Sequence, residues 1–320
     1  VGELFILNIQ KEEKVMTWRT VLVKDSEYIK LKLDSIVILK EEYEYVIPLS
    51  DISIIVLEGL QTTVTTRLLS ALTRYNISLV ICDHTYTPTG IYHSYNGHSR
   101  ASKMIQAQIA WEEKMKGEFW RNNIKQKIYG QAQVLSLVKP DIEAIQKLEN
   151  YITEIDHYDK SNREGHAAKV YFNALFGKEF SRQDDELPIN AGLNYGYSIF
   201  RAQIARLVVA YGLQSMLGIF HRSEYNQFNL VDDLIEPFRP FVDVWVYANM
   251  REEKFLTFEH RAALINLLNL RSKYKNGHYT LLVIMEKYIQ DFISYMETGD
   301  LSKINMIDMT SFEGASKSEV

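Results

Sequence analysis

Between residues 18 and 93 the apolar and polar positions alternate in short runs. Segments 20–23, 28–33, 35–39, 43–48 and 52–57 are rich in β-branched residues, and charged or Asp/Ser turns separate them. That is the period-two pattern of strands. From 64 to 75 the period changes to one helix, with Leu68, Leu69 and Leu72 on its apolar stripe. The run 77–82 reads as a buried strand. Residues 84–102 mix Thr, Pro, Gly, Asn and His without a period, which places a domain boundary there. Strand signals then nearly vanish. Helices are predicted over 104–137 (with a break near Gly117 or Gly130), 141–155, 164–175, 191–211, 230–250, 258–270 and 279–297. The expected fold class is α+β: a small β-rich N-terminal domain with one helix, 16–95, followed by a larger all-α domain, 96–310. The stretch 311–320 is small and polar and is predicted to be a disordered tail.

The first fifteen residues lack the basic start of a signal peptide. They read as an extension or an expression-derived segment, with the native start expected at Met16. The 320 residues, 46% hydrophobic and 24% charged, suit a two-domain globular protein with a sizeable core. One cysteine, Cys82, rules out an intrachain disulfide and a Cys-based zinc site, and a reducing, cytoplasmic setting fits best. No run of about 18 apolar residues is present, so no membrane-spanning helix is expected. The net charge of −5 argues against a uniformly basic nucleic-acid binder. Residues 100–139 nonetheless hold eight Lys/Arg against three Glu. This stretch can meet a phosphate backbone or simply be a solvated helix face.

Three separated segments carry chemistry. They are Ser161-Asn162-Arg163-Glu164-Gly165-His166, His221 after the apolar run 216–220, and Asp233-Leu234-Ile235-Glu236-Pro237-Phe238-Arg239-Pro240. Together they offer a Glu, a His and a second carboxylate near helix ends, a donor set for one hard or borderline divalent ion with positions left open. Each has a plainer reading. Ser161-x-x-Glu164 matches a capping box, a lone His after an apolar run is commonly a core residue, and Asp232, Asp233 and Glu236 share a helix face as surface carboxylates often do. The rigid Pro237-Phe238-Arg239-Pro240 segment is unlike a solvated face. The loop 222–229 offers amides and aromatic rings to nucleotides. Gly192 and Gly196 mark either a ligand's approach or tight helix packing.

Three stretches of this sequence resemble the CRISPR spacer-acquisition integrase family, CRISPR-associated protein one, in its type II-A branch. They are Asn162-Arg163-Glu164-Gly165-His166-Ala167-Ala168-Lys169-Val170-Tyr171-Phe172-Asn173, Asn190-Ala191-Gly192-Leu193-Asn194-Tyr195-Gly196-Tyr197, and Phe228-Asn229-Leu230 running into Asp233–Pro240. The opening Met16-Thr17-Trp18-Arg19-Thr20 fits the same branch, and the likeness runs from Met16 to the C-terminus. It implies that Glu164, His221 and Glu236 are catalytic metal ligands, with Asp233 in a supporting acidic position and Mg²⁺ or Mn²⁺ as the cofactor. It implies DNA transesterification, in which the 3′-hydroxyl of a short prespacer duplex attacks a phosphodiester at the edge of a repeat beside the leader. Nuclease and disintegration activity would accompany it. Implied partners are a second copy of the chain, with the N-terminal domain as the dimerising part, and a dimer of CRISPR-associated protein two bridging a hetero-hexamer. Other type II-A adaptation proteins and the effector nuclease are further implied partners, all in a prokaryotic cytoplasm. Lys103, Arg121, Lys125, Lys127, Arg163, Asn229 and Arg239 are the candidate DNA contacts; Arg239 either orients Glu236 or touches phosphate.

Overall fold

The computed structural model describes residues 19–315 apart from 25, 27, 41, 42, 96 and 97. Segment 1–15, the Met16-Thr17-Trp18 match and residues 316–320 lie outside the described residues. The chain divides into two compact units. One holds the residues up to Met104 with Ala205–Leu213, and the other holds Ile105–Ile204 with the residues from Gln214 onward.

In the first unit the predicted strands form as β1 (Arg19–Val23), β2 (Tyr28–Lys32), β3 (Ser35–Lys40), β4 (Tyr43–Pro48) and β5 (Ile52–Leu57). The short β6 (Thr63–Val64), α1 (Thr66–Arg74), β7 (Ser78–Cys82) and β8 (Pro88–Tyr92) follow. β1, β5 and β7 pair in parallel and β8 closes that sheet antiparallel. A second sheet runs in the order β4-β3-β2-β6. β5 lies between two strands and is buried along its whole length, which explains its unbroken Ile-Ser-Ile-Ile-Val-Leu sequence. Thr65 caps α1 by accepting from the Leu68 N–H, and Leu68, Ala71 and Leu72 enter the core between Ile36, Ile38, Ile52 and Ile55. β8 falls inside the aperiodic 84–102 stretch: Pro88 and Gly90 mask a strand that pairs at a sheet edge, where both residues are tolerated.

The second unit is mainly helical. α2 (Ala101–Ile109) leads in from the first unit. α3 (Glu113–Val138), α4 (Ile142–Glu154), α5 (Arg163–Phe176), α6 (Pro188–Ala210, whose end from Ala205 belongs to the first unit), α7 (Asn229–Ile235), α8 (Arg239–Met250), α9 (Phe258–Asn266) and α10 (Leu281–Thr298) follow. α3 is the axis, with α4, α5 and α8 packed along it. The expected α+β class, a β-rich first part followed by a larger helical one, holds, and the helical part also carries one small sheet. β9 (Arg271–Tyr274), β10 (Gly277–Thr280) and β11 (Ile307–Asp308) form a small antiparallel sheet. Arg271-Ser272-Lys273-Tyr274 buries only its alternate Ser272 and Tyr274, too short an alternation to register as a strand.

The long basic helix breaks at 110–112, not at a glycine. Trp111 turns its ring edge to Phe292 at 5.3 Å, and Glu112 is extended. Gly117 and Gly130 lie inside α3, where they admit His157 and Pro240. The tail also differs over 311–315. Glu313 accepts from the Arg271 N–H and Ser311 from the Lys273 N–H, and Phe312 is buried against Phe241. Among the described residues no helix is long and apolar enough to cross a membrane.

Gly192 and Gly196 are packing glycines of α6. A Cβ on Gly196 would stand 2.5 Å from Val242 Cγ1 of α8, in a fully buried contact that cannot yield. Gly196→Val is expected to lower stability by about 1–3 kcal/mol, read as an earlier urea midpoint. An unchanged midpoint would contradict this packing.

Candidate functional site

Glu236 stands at a break in a helix. Pro237 has no N–H to give to the Asp233 carbonyl one turn back, and its ring crowds that carbonyl. α7 therefore stops at Ile235, a single 3₁₀ turn Glu236–Phe238 follows, and α8 restarts at Arg239. The continuous helix predicted over 230–250 is interrupted for this reason. The orphaned Asp233 carbonyl accepts instead from Asn123 Nδ2 of α3 at 2.6 Å, and Asn123 Oδ1 accepts from the Tyr288 hydroxyl. A buried amide on the axial helix thus replaces the missing backbone bond and fixes the kink.

Glu164 reaches the same place from the first turn of α5. The capping-box reading is corrected. The N-cap is Asn162, which accepts from the Gly165 N–H, and the buried Asp159 carboxylate accepts from the N–H groups of Arg163 and Glu164, each at 2.9 Å. With these orphan donors satisfied by others, the Glu164 side chain is released from capping. It meets Lys127 Nζ of α3 at 2.6 Å, and the same ammonium lies 2.5 Å from Glu236 Oε2. The other Glu236 oxygen takes Arg239 Nε at 2.8 Å. Burial pushes the Glu236 carboxyl up, but Arg239 and Lys127 outweigh it and hold the group at about 2. Burial likewise disfavours the Lys127 ammonium, and Glu236 and Glu164 reverse the effect and raise it.

Arg239 is held in turn. Its guanidinium lies 4.6 Å from the Tyr197 ring centroid, a cation–π contact, and the Tyr197 hydroxyl donates to the buried Asp243. Burial raises Asp243 to about 6 against the pull of Tyr197.

His221 sits in the loop between α6 and α7. Its Nδ1 lies 2.8 Å from Asp233 Oδ1, and the Asp233 carboxylate also accepts from the backbone N–H groups of Ile219, Phe220 and His221. Asp233 is fully buried; burial pushes its carboxyl up and these donors pull it down. The Asp233 bond raises His221 above its ordinary value against burial. Phe220 stacks on Trp120 at 4.3 Å and the His221 ring sets its edge against the same indole. One carboxylate and one indole thus fix the ring, with Nδ1 engaged and Nε2 left for chemistry, the arrangement that orients a metal-ligating imidazole.

The donor types suit a divalent ion. Glu236 Oε2 is buried, and the cation that meets it is the Lys127 ammonium at 2.5 Å. Among the described residues, however, no three His, Cys, Asp or Glu side chains converge closely enough to hold an ion as they stand; the two glutamates close on an ammonium instead.

The seven candidate DNA contacts divide. Lys103 is exposed and Lys125 half-buried, and both remain available to phosphate. Arg163 pairs with Glu154 at 3.1 Å and keeps part of its side chain in solvent. The other four hold partners within the protein, Arg121 with 38% of its side chain still in solvent. Lys127 and Arg239 hold the carboxylates. Arg121 donates to the Ile155 carbonyl. Asn229 is buried and staples the His221 loop through the Met216 and Ser223 carbonyls. Sequence reasoning missed Asn123, Asp159 and Tyr197. Asn123 faces the site one turn before Lys127 on α3, which was the available signal.

Residues 20–274 match the family described as CRISPR associated protein Cas1. The CRISPR-associated endonuclease Cas1 of Neisseria meningitidis serogroup C (strain 8013) is 36% identical over 280 residues, covering 87% of this chain and 91% of its own. Two solved structures share the fold. A casposase bound to integration product has a TM-score of 0.73 at 18% identity, with 94% of this chain and 96% of that chain covered. A chain of a Cas6-RT-Cas1–Cas2 complex has a TM-score of 0.74 at 17% identity, with 93% of this chain and 37% of that chain covered. The fold is thus the one shared by that casposase and by the Cas1-containing chain. The chain belongs to the Cas1 family.

Two predictions test the positioning network. Asn123→Ala leaves the Asp233 carbonyl without its partner and should cost about 1–3 kcal/mol in chemical denaturation; a wild-type midpoint would show that the kink holds without it. Asp243 keeps its proton in the folded state up to about pH 6, whereas unfolded Asp loses it near its ordinary value. The folded state therefore binds more protons in that window, and stability falls as pH rises from about 4 to 6. The stability–pH curve of Asp243→Asn should lack this fall; curves parallel to wild type would contradict it.

Proposed function

We propose that this protein is a metal-dependent DNA integrase of CRISPR adaptation, joining the 3′-hydroxyl of a short duplex to a phosphodiester at the edge of a repeat. The observation that carries the reading is the closure of Glu164 and the buried Glu236 on one ammonium, beside a histidine whose Nδ1 is already committed to Asp233. Glu164, Glu236 and His221 Nε2 would hold Mg²⁺ or Mn²⁺, and imidazole favours the softer of the two. When bound, the ion supplies charge for the phosphoryl transition state and lowers the cost of ionising the attacking hydroxyl.

The side chains do the rest. The 3′-oxygen forms its bond to phosphorus as the array's own 3′-oxygen leaves and takes a proton. Asp233 holds the His221 ring so that Nε2 faces the reacting groups, where it is a ligand or a proton carrier. Arg239 keeps Glu236 ionised and aimed. Water in place of the 3′-hydroxyl gives the endonuclease activity named for the Neisseria relative, and the casposase neighbour bound to integration product supports joining. Lys103, Lys125 and Arg163 would grip phosphate without reading sequence.

Two scissile phosphates one repeat apart exceed the reach of one protomer. The assembly is therefore a homodimer pair bridged by Cas2, in keeping with the Cas1–Cas2 complex among the structural neighbours. Tyr43 and Val46 are exposed on the edge strand β4 and suit pairing between copies. The protein would work in the prokaryotic cytoplasm with the other type II-A adaptation proteins and the effector nuclease.

Purified protein, with its bridging partner, a prespacer duplex bearing 3′-hydroxyls and a plasmid carrying a repeat, should give joined DNA in Mn²⁺ or Mg²⁺. His221→Ala should reduce joining by about 10²-fold or more, the scale expected for loss of an acid–base or ligand group. Cleavage alone, with the same sensitivity, would make the protein a nuclease. Joining that survives His221→Ala would remove this site from the reaction.

A further inference from the structure

Lys127 projects from the axial helix into the gap between the two glutamates. Its side chain is 11% exposed, and its ammonium stands 2.6 Å from Glu164 Oε1 and 2.5 Å from Glu236 Oε2. These are the two oxygens a divalent ion would take, at metal–oxygen distances of about 2.0–2.6 Å. Arg239 already neutralises Glu236 from the other side. Two carboxylates, one ammonium and one guanidinium are in balance, and a dication added to them would be a third cation in one pocket, leaving two positive charges in excess. Lys127 and the ion therefore exclude each other from this position. The same contact accounts for the lack of a ready-made three-ligand site among the described residues.

We infer that Lys127 is a positioning residue that acts as the internal counter-cation of the metal site: it holds Glu164 and Glu236 together in the metal-free protein and is displaced when a divalent ion binds. The inference rests on the metal reading above. Without such a cation, the buried Glu236 and the half-buried Glu164 carboxylates face one another and their repulsion spreads the site. With it, α5 and the α7–α8 kink stay registered on α3, and the incoming ion enters a preformed gap. Metal affinity is set by this exchange: the ion's gain is reduced by the ion pairs it breaks. A lysine suits this task better than an arginine, because its compact ammonium sits on a flexible four-carbon stem that can swing aside.

The test is calorimetric titration of Mn²⁺ alone into full-length wild type, Lys127→Met and Lys127→Gln, with melting curves of each. Removing the competing charge should tighten Mn²⁺ binding at least about tenfold, which is about 1.4 kcal/mol. It should also lower the metal-free melting temperature and enlarge the rise that saturating Mn²⁺ produces. Lys127→Gln keeps a donor and is the variant to read if Lys127→Met does not fold. Lys127→Arg keeps the charge and should bind no tighter than wild type. Mn²⁺ binding of equal or lower affinity in the neutral variants would overturn the inference while leaving the metal site standing. No Mn²⁺ binding by any form, wild type included, would overturn the metal reading and this inference with it.

Discussion

Two glutamates brought together on one ammonium, Glu236 buried and Glu164 half-buried, are the constraint on which the second unit depends. Taking a carboxylate into the interior costs several kcal/mol unless partners compensate, and the fold supplies them from fixed elements. Arg239 comes from the first turn of α8 and Lys127 from the middle of α3. Their placement requires three helices in register. That register explains why α3 is long and buried, why Asn123 and Lys127 occupy successive turns of it, and why Asp159 takes over the capping of α5. Removing either cation leaves an uncompensated charge, so the ionic arrangement and the helix packing stand or fall together.

The histidine is organised by a different device. A single buried aspartate collects three backbone N–H groups and one ring nitrogen. This turns an irregular loop into a rigid mount, and Trp120 supports the mount from α3. Asp233 and Glu236 lie on either side of the break that Pro237 enforces. One proline therefore sets the separation between the residue that aims His221 and the residue that faces Glu164. The Cas1 family match over residues 20–274 includes this framework.

Much of this was legible in the chain. Alternation and β-branched runs located β1 to β5 and β7, because each strand is long enough to show its period. β8 was not, since Pro88 and Gly90 interrupt the pattern at a sheet edge. The small β9–β11 sheet was hidden in four-residue strands, where alternation and chance look alike. Glu164, His221, Asp233 and Glu236 were singled out by their segments. Of their partners, Arg239 was legible as a residue able to orient Glu236, but Lys127 reads as one of several basic helix residues suited to DNA, and only packing distinguishes the buried lysine at 127 from the exposed one at 103. Ser161-x-x-Glu164 has the spacing of a capping box, but Asp159, five residues before Glu164, won the competition for the free N–H groups. Such contests between neighbouring caps are decided by backbone geometry, here the left-handed Asp159 and Asn162, and not by spacing.

The measurement that bears most directly on the central claim is a crystal structure of the protein soaked in Mn²⁺, with anomalous scattering recorded to locate the ion. The account predicts one anomalous peak within ligand distance of Glu164, Glu236 and His221 Nε2, with the Lys127 ammonium moved out of the gap. A peak elsewhere, or none at saturating Mn²⁺ with Lys127 still between the two glutamates, would contradict it.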